Sequence, residues 1–360
     1  MKILIWGTGK IAKETIENFE GGNIFVKYDV VGFIDNNEEK REKEFFGKKV
    51  FPPSFLSEVM TDKIVILTAS YEEIKMQILK EFPELECKVE NRYFFNKESL
   101  LKRYEKTEDK EIAGILDYIK ENGLNVFNYS FAKKYEILDV ETYFDEQHSM
   151  YWVNYYGHKL YFSRMYKTKE EVIEYYRAFS LEQDKKSPHR YIDENFKINK
   201  GDVVVDVGAA EGNFSLEIIE DASKVYIIES DQDWIDALKL TFADYMDKVV
   251  IIKGFVSSYD DGVMMTLDDL IHEPVNFIKM DIEGSEWEAL QGAKQLINNS
   301  TCLQMAVCAY HRDFDENLIE HFMDSMDMVY STTAGYMWFP YCRNTYSTKL
   351  SRAIIRGRRK

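Results

Sequence analysis

Apolar residues fall into short runs separated by helically spaced stretches twice along the chain, once over the first hundred residues and again from residue 197. In the first block KILIW (2–6) reads as a strand, and KIAKETIENF (10–19) carries apolar positions three and four apart, the spacing of a helix with one buried face. YDVVGFID (28–35), KIVILTA (63–69) and KVENRYFF (88–95) predict further strands, with a helix in EEIKMQILKEF (72–82). FPPSFL (51–56) reads as a loop, because two prolines stop regular structure. The second block predicts strands in DVVVDVG (202–208), KVYIIES (224–230), VVIIKGF (249–255), VNFIKMDIEG (275–284) and CLQMAVCAYH (302–311). Helices are expected in NFSLEIIEDA (213–222), in WIDALKLTFADYM (234–246) and from Ser285 to about Asn298. Strands alternating with helices imply parallel sheets with crossovers, and such sheets take ligands at the carboxyl ends of their strands.

The pattern divides the chain into a Rossmann-like module at 1–97, a helical connection at 98–150 whose charged stretch ends at Gly123, and a second domain at 151–360. A length of 360 residues exceeds one ordinary core and agrees with two domains. With 45% hydrophobic and 30% charged residues the composition is that of a soluble globular protein. No apolar run approaches the roughly 20 residues that cross a bilayer, and a glycine turn follows the first strand where a leader would continue. A cytoplasmic location is expected. The four cysteines, Cys87, Cys302, Cys308 and Cys342, have no metal spacing and read as reduced thiols. A net charge of −17 argues against binding bare nucleic acid. The basic tail SRAIIRGRRK reads as a solvated, frayed end, with contact to a phosphate or an anionic lipid as the alternative.

VDVGAAEGNF (205–214) narrows the chemistry. A strand ending in Asp206, then Gly208 and Gly212 before a helix, makes a cradle where backbone amides approach a ligand. A dinucleotide turn reads G-x-G-x-x-G, since a pyrophosphate sits on it. Here Asp206 and Glu211 would repel a pyrophosphate, whereas the amine and sulfonium of S-adenosylmethionine (SAM) attract carboxylates. Glu229 ends the next strand, where an acid accepts both ribose hydroxyls of an adenosine. A turn without ligand is the bland alternative.

VDVGAAEGNFS, IIESD, TLDDL (266–270) and FIKMDIEGSEWEALQGA (277–293) together resemble the FkbM family of SAM-dependent methyltransferases, over about 195–310. The resemblance implies a class I methyltransferase fold: an α/β, doubly wound sheet, here beside the smaller Rossmann-like parallel sheet. It also implies methylation of hydroxyls, often on sugars or glycans. On the matching positions Asp206, Gly208 and Gly212 would face SAM, with Ala209, Glu211 and Asn213 in the same turn, Glu229 and Ser230 at the ribose, and Asp281 beside the methyl group. VCAYHRD (307–313) and YSTTAGYMWFP (330–340) depart from the family pattern where the acceptor usually lies.

A hydroxyl acceptor must lose a proton, so a base is sought at the strand ends. Asp281 and His311 qualify as catalytic candidates, and His189 joins them from SPHRY (187–191), a proline-broken turn placed to fold over the cofactor. Arg190, Tyr191 and Glu283 are the substrate-binding candidates, Arg190 through a carboxylate or phosphate. Asp281, Glu283 and His311 would also suit a divalent ion, but no spacing enforces one and no metal is expected. The tyrosines of 151–176 suit sugar stacking, although core packing explains them as well.

The first glycine turn, Gly7-Thr8-Gly9-Lys10-Ile11-Ala12, with Asp35 ending the second strand, resembles the nucleotide-sugar-binding module of bacterial sugar acetyltransferases. Gly7, Gly9, Lys10 and Asp35 would hold a nucleotide or nucleotide-linked sugar, or the scaffold has kept its shape without a ligand. The expected function is a SAM-dependent O-methyltransferase acting on a sugar hydroxyl or sugar-linked group in bacterial surface glycan synthesis. Its partners would be a small-molecule or glycan acceptor and no nucleic acid, with a homo-oligomer left open. The rivals are an NAD(P)-dependent oxidoreductase using the first turn, and a non-catalytic nucleotide-sugar-binding module.

Overall fold

The computed structural model describes residues 1–19, 23–340 and 348–359, so Cys342 and Lys360 lie outside the described residues. Two compact units emerge: Met1–Asn128, which Thr348 and Lys349 join, and a second that starts at Tyr129 and takes in the chain from Leu350. The helix Phe94–Arg103, which overlaps the start of the segment read as a connection, and the helix Lys110–Asn122 inside it belong to the first unit.

In the first unit β1 (Lys2–Trp6), β2 (Asp29–Ile34), β3 (Glu44–Phe45), β4 (Lys48–Phe51), β5 (Lys63–Ile66) and β6 (Val89–Glu90) form one sheet in the order β3-β4-β2-β1-β5-β6. All pairings are parallel except β3 with β4. KILIW is apolar without alternation because both faces are covered, Ile3 and Ile5 in one cluster, Leu4 and Trp6 in the other. KVENRYFF yields only two strand residues. Asn91 Oδ1 accepts from Tyr93 N at 2.9 Å, turning the chain, and Phe94 and Phe95 then pack from the start of a helix. The FPPSFL loop holds a short 3-10 turn, Pro53–Ser57, after β4.

The second unit opens with an antiparallel sheet of β7 (Thr142–Asp145), β8 (Met150–Tyr155) and β9 (His158–Tyr161), followed by the helix Lys169–Glu182. The main sheet then uses β10 (Val203–Val207), β11 (Lys224–Glu229), β12 (Val249–Lys253), β15 (Phe277–Met280), β16 (Gln304–Cys308), β17 (Met328–Thr332) and β18 (Ile354–Arg359), with the small parallel pair β13 (Phe255–Val256) and β14 (Met264–Met265) apart from it. Its order is β12-β11-β10-β15-β16-β18-β17, and only β18 runs against its neighbours. This is the doubly wound class I methyltransferase order. The chain leaves β10 toward β11 on one side and reaches β15 on the other, so a crevice opens outside the carboxyl ends of β10, β11 and β15.

Two expectations need correction. The basic tail is not frayed: Ile354–Arg359 is an inner strand between β16 and β17, with Ile354 and Ile355 fully buried. Two consecutive isoleucines supply the buried surface, and the arginines are paired, Arg356 with Asp193 and with the Arg190 carbonyl at 2.8 Å. The helix expected from Ser285 to Asn298 is two, Glu286–Gln291 and Lys294–Asn299. Asp268 explains the break, because its carboxylate accepts from the free amides of Gln295 (3.1 Å) and Leu296 (2.7 Å) and starts a new helix there.

Candidate active site

β10 ends in a turn that two close approaches shape. Gly208 has φ +76°, and a Cβ there would lie 2.0 Å from the Asp281 carbonyl. Gly212, at φ +82°, precedes the helix Asn213–Glu217, and a Cβ would meet Leu238 and Phe242. Gly212 therefore serves packing, and it lies off the cavity that the turn encloses.

That cavity measures about 1000 Å³. Gly208, Ala209, Glu211 and Asn213 line it from the first turn, Glu229 and Ser230 from the tip of β11, and Asp281 and Glu283 from the tip of β15. Glu229 is the hub of one side. Its Oε2 accepts from Ala210 N (2.9 Å), and its Oε1 from Ser230 N (2.7 Å) and Asp231 N (2.9 Å). Ser230 Oγ also reaches Oε1, at 3.4 Å, so the open acceptor position is the second one on Oε2.

Asp206 does not face this space. It is fully buried, accepts from Ser215 Oγ at 2.7 Å, and pairs with Lys279 Nζ at 3.0 Å. The register explains the turn inward, because Asp206 sits opposite Lys279 on β10 and β15 and neighbouring side chains share a face. Lys279 also donates to the Gly208 carbonyl at 2.5 Å. Burial opposes its charge, but Asp206 and Asp281 outweigh that and raise it to about 12.

At the far side Asp281 gathers three of the expected residues. Tyr191 donates to its Oδ2 at 2.6 Å, His311 Nε2 lies 3.4 Å from Oδ1, and His189 Nε2 lies 3.8 Å from Oδ2. Burial works against the Asp281 charge, yet His311, His189 and Lys279 hold it down to about 2. His311 is itself buried, with Nδ1 3.0 Å from Glu286 Oε1. Burial would neutralise it, but Glu286 and the charges of Asp281 and Glu283 raise it to about 9. His189 goes the other way, to about 4, chiefly through burial, and its Nε2 faces Tyr310 OH at 2.8 Å. Neither histidine lines the cavity. Arg190 also departs from expectation: its guanidinium grips the Glu217 carboxylate with both NH groups and donates to the Ile192 carbonyl, and it does not line the cavity.

Two carboxylates that face the cavity are tuned toward neutral pH. Glu211, buried against Tyr175, which donates to it at 2.7 Å, rises to about 7 through burial. Glu182, at the end of the helix Lys169–Glu182, rises to about 8 through burial and the charges of Asp281, Glu211 and Glu283. Among the described residues the Glu182 side chain has no hydrogen-bond or ion-pair partner. The sequence gives little warning of Glu182, which looks like one more acid in a charged helix. Lys279 and Glu286 were readable in principle, as polar residues inside FIKMDIEGSEW.

In the N-terminal unit a Cβ at Gly7 would lie 2.7 Å from the Leu67 carbonyl, while Gly9 faces open space. Asp35 is engaged by its own turn: Thr8 N (3.2 Å), Thr8 Oγ1 (2.5 Å) and Lys40 Nζ (3.1 Å) all reach Oδ2. Lys10 points to solvent, 3.7 Å from Glu14.

The sequence matches the family model of the methyltransferase FkbM domain over residues 155–336, half the chain, and a C2185-like N-terminal model over residues 1–85. The chain belongs to the FkbM methyltransferase family. A crystal structure of methyltransferase FkbM from Methylobacillus flagellatus is similar over 99% of this chain and 89% of its own, at 16% identity and a TM-score of 0.46. A Streptococcus mutans chain described as a methyltransferase and solved with SAH (S-adenosylhomocysteine) covers 45% of this chain and 83% of its own, at 11% identity and a TM-score of 0.31. Among curated relatives, a Methanococcoides burtonii chain described as a ribosomal RNA small subunit methyltransferase A is 34% identical over 85 residues. That match spans 22% of this chain and 31% of the relative, so this chain spans under a third of that relative's length.

The cavity of this FkbM-family domain has an acidic wall. Ligand atoms of Asp281, Glu286 and His311 fall within 4.8 Å of one another, as do those of His189, Asp281 and Cys308, and either trio has the donor types of a metal site. In the present arrangement the first trio sets one histidine cation between two carboxylates. Among the described residues no helix is long and apolar enough to cross a membrane.

Two outcomes follow for this FkbM-family domain. Asp206→Ala leaves the Lys279 ammonium buried without its partner and is expected to cost about 3–5 kcal/mol, read as a lower denaturation midpoint. His311 is raised in the fold above its unfolded value of about 6.5, so its contribution is complete below that pH and lost as pH rises through about 9. Thermal midpoints of the native chain should therefore fall more steeply from pH 6.5 to 9 than those of His311→Gln; parallel curves would contradict the assignment.

Proposed function

We propose that this methyltransferase draws its methyl group from SAM held in the 1000 Å³ cavity, and passes it to a hydroxyl of a sugar or sugar-linked group. The observation that carries the donor assignment is the charge of the wall. Glu182, Glu211, Asp281 and Glu283 line one space, and the two cations in the same lining are engaged, Lys279 by Asp206 and the Gly208 carbonyl and Arg312 by Glu288. A cationic donor fits there, and a pyrophosphate does not. Glu229 would take a ribose hydroxyl with the remaining acceptor position on Oε2, and the Gly208–Glu211 backbone would follow the amino-acid end. When bound, SAM supplies a methyl carbon activated by its positive sulfur.

The chain's own residues then have to orient an acceptor and receive its proton. Asp281 is a weak base at about 2, His311 already carries a proton at neutral pH, and His189 is shut away behind Tyr191 and Tyr310. Glu182 is the group suited to the task, because it faces the cavity, has no partner and titrates near 8. Asp281, held by Tyr191, orients. The sugar character of the acceptor and a cytoplasmic role in bacterial surface glycan synthesis are supported by the family resemblance. An N-terminal nucleotide site is less favoured by the structure, since Asp35 is bound by Thr8 and Lys40.

The donor assignment is tested without knowing the acceptor. Glu182 and Glu211 are partly protonated at pH 7.5, and a sulfonium beside them lowers their pKa and expels protons. Calorimetric titrations in two buffers of different ionisation enthalpy should show more proton release with SAM than with SAH, whose sulfur is neutral. Glu182→Gln should shrink that difference, and Glu229→Ala should weaken both ligands at least tenfold. Absence of binding by either ligand would overturn the proposal.

A further inference from the structure

The helix Lys169–Glu182 has a second face. Tyr176, Ser180 and the following Gln183 border another cleft, of about 870 Å³, that nothing described so far uses. Its walls are aromatic: Tyr135, Tyr155, Tyr156 and Tyr176 line it, with Tyr156 meeting Tyr155 edge-on at 4.6 Å. Its rim is cationic. Lys185 and Lys186 line it, both exposed, and among the described residues neither ammonium has an acidic partner. The one acid in the lining, Asp184, is already matched by Lys134 and by Tyr135 OH at 2.7 Å. In a chain of net charge −17 this leaves a local positive edge.

Tyr156 is held there at a cost. It is 70% exposed and sits with Gly157 at the tip of the β8–β9 hairpin, where both residues have positive φ, 51° and 91°. Such two-residue turns favour Asn-Gly, and a bulky side chain in the left-handed region is strained. Packing does not explain an exposed, strained ring that lines a cleft, whereas ligand contact does. Gln183 lines both cavities, and its side chain steadies the SPHRY turn by donating to the His189 carbonyl at 3.0 Å. Gln183 is the residue that the two linings share, so the aromatic cleft and the donor cavity come together there, next in sequence to Glu182.

We infer that this cleft seats the methyl acceptor and that the acceptor is an anionic sugar, its ring on the tyrosine faces and its phosphate or carboxylate on Lys185 and Lys186. Sugar rings present C–H faces to aromatic rings and hydroxyls to tyrosine OH groups, and a charged substituent needs the two free ammonium groups. The inference rests on the reading of the first cavity as the donor site.

The test uses the full chain and saturation-transfer NMR with four probes: glucose, glucose 1-phosphate, glucuronate and inorganic phosphate. Binding of glucose 1-phosphate or glucuronate at least tenfold tighter than glucose is expected, and which of the two binds distinguishes a phosphorylated sugar from a uronate. Lys185→Ala/Lys186→Ala should erase that preference. Tyr156→Asn should weaken binding about tenfold while leaving the thermal midpoint equal or higher, because asparagine relieves the turn; a ring kept only for structure would lower the midpoint and leave binding intact. Binding of phosphate as tight as that of either sugar, or no sugar binding while SAH still binds, would overturn the inference and leave the donor assignment standing. Loss of SAH binding alone would instead count against the donor assignment.

Discussion

One buried ammonium organises the methyltransferase unit. Lys279 Nζ sits between β10 and β15, paired with Asp206 and bonded to the carbonyl of Gly208, so it fixes both the strand register and the path of the glycine turn. A buried charge of this kind is tolerable only when its partners are complete. Its consequences reach the cavity. With Asp206 drawn into the core, the acidic wall is left to Glu182, Glu211, Asp281 and Glu283, and burial tunes two of these, Glu182 and Glu211, toward neutral pH.

The chemistry follows from how each carboxylate is held. Asp281 is stabilised as an anion by Tyr191, His311 and Lys279, and so does not accept protons readily. Glu182 has no such support, and a group whose charge is penalised in the free protein gains most from a cation placed beside it. The site is therefore better suited to a positively charged donor than to an empty state. The histidines that look like bases in the sequence lie behind this wall, where His311 acts as a fixed cation between Asp281 and Glu286.

Much of the fold was legible because the buried strands are nearly unbroken apolar runs and the turn residues between them are glycine or short polar stretches. The glycine turn, Glu229 and Asp281 were visible for the same reason, being placed at strand ends. What stayed hidden depends on contacts between distant residues. The direction of Asp206 is decided by a register partner 73 positions away, and the occupation of Arg190 by Glu217. The tail was misread because two isoleucines are too short a signal for a strand, and only β16 and β17 beside it supply the pairing. Glu182 was hidden among many surface acids, since nothing in its neighbourhood of sequence marks which helical face turns inward.

The account turns on a cationic donor lying between the tips of β10, β11 and β15. A crystal structure of the chain grown with SAH would test this most directly. Density for the ligand with its ribose on Glu229 and its sulfur toward Asp281 and Glu182 is the predicted result. Ligand density at the Gly7–Lys10 turn instead, with the space beside Glu229 holding only solvent, would contradict it.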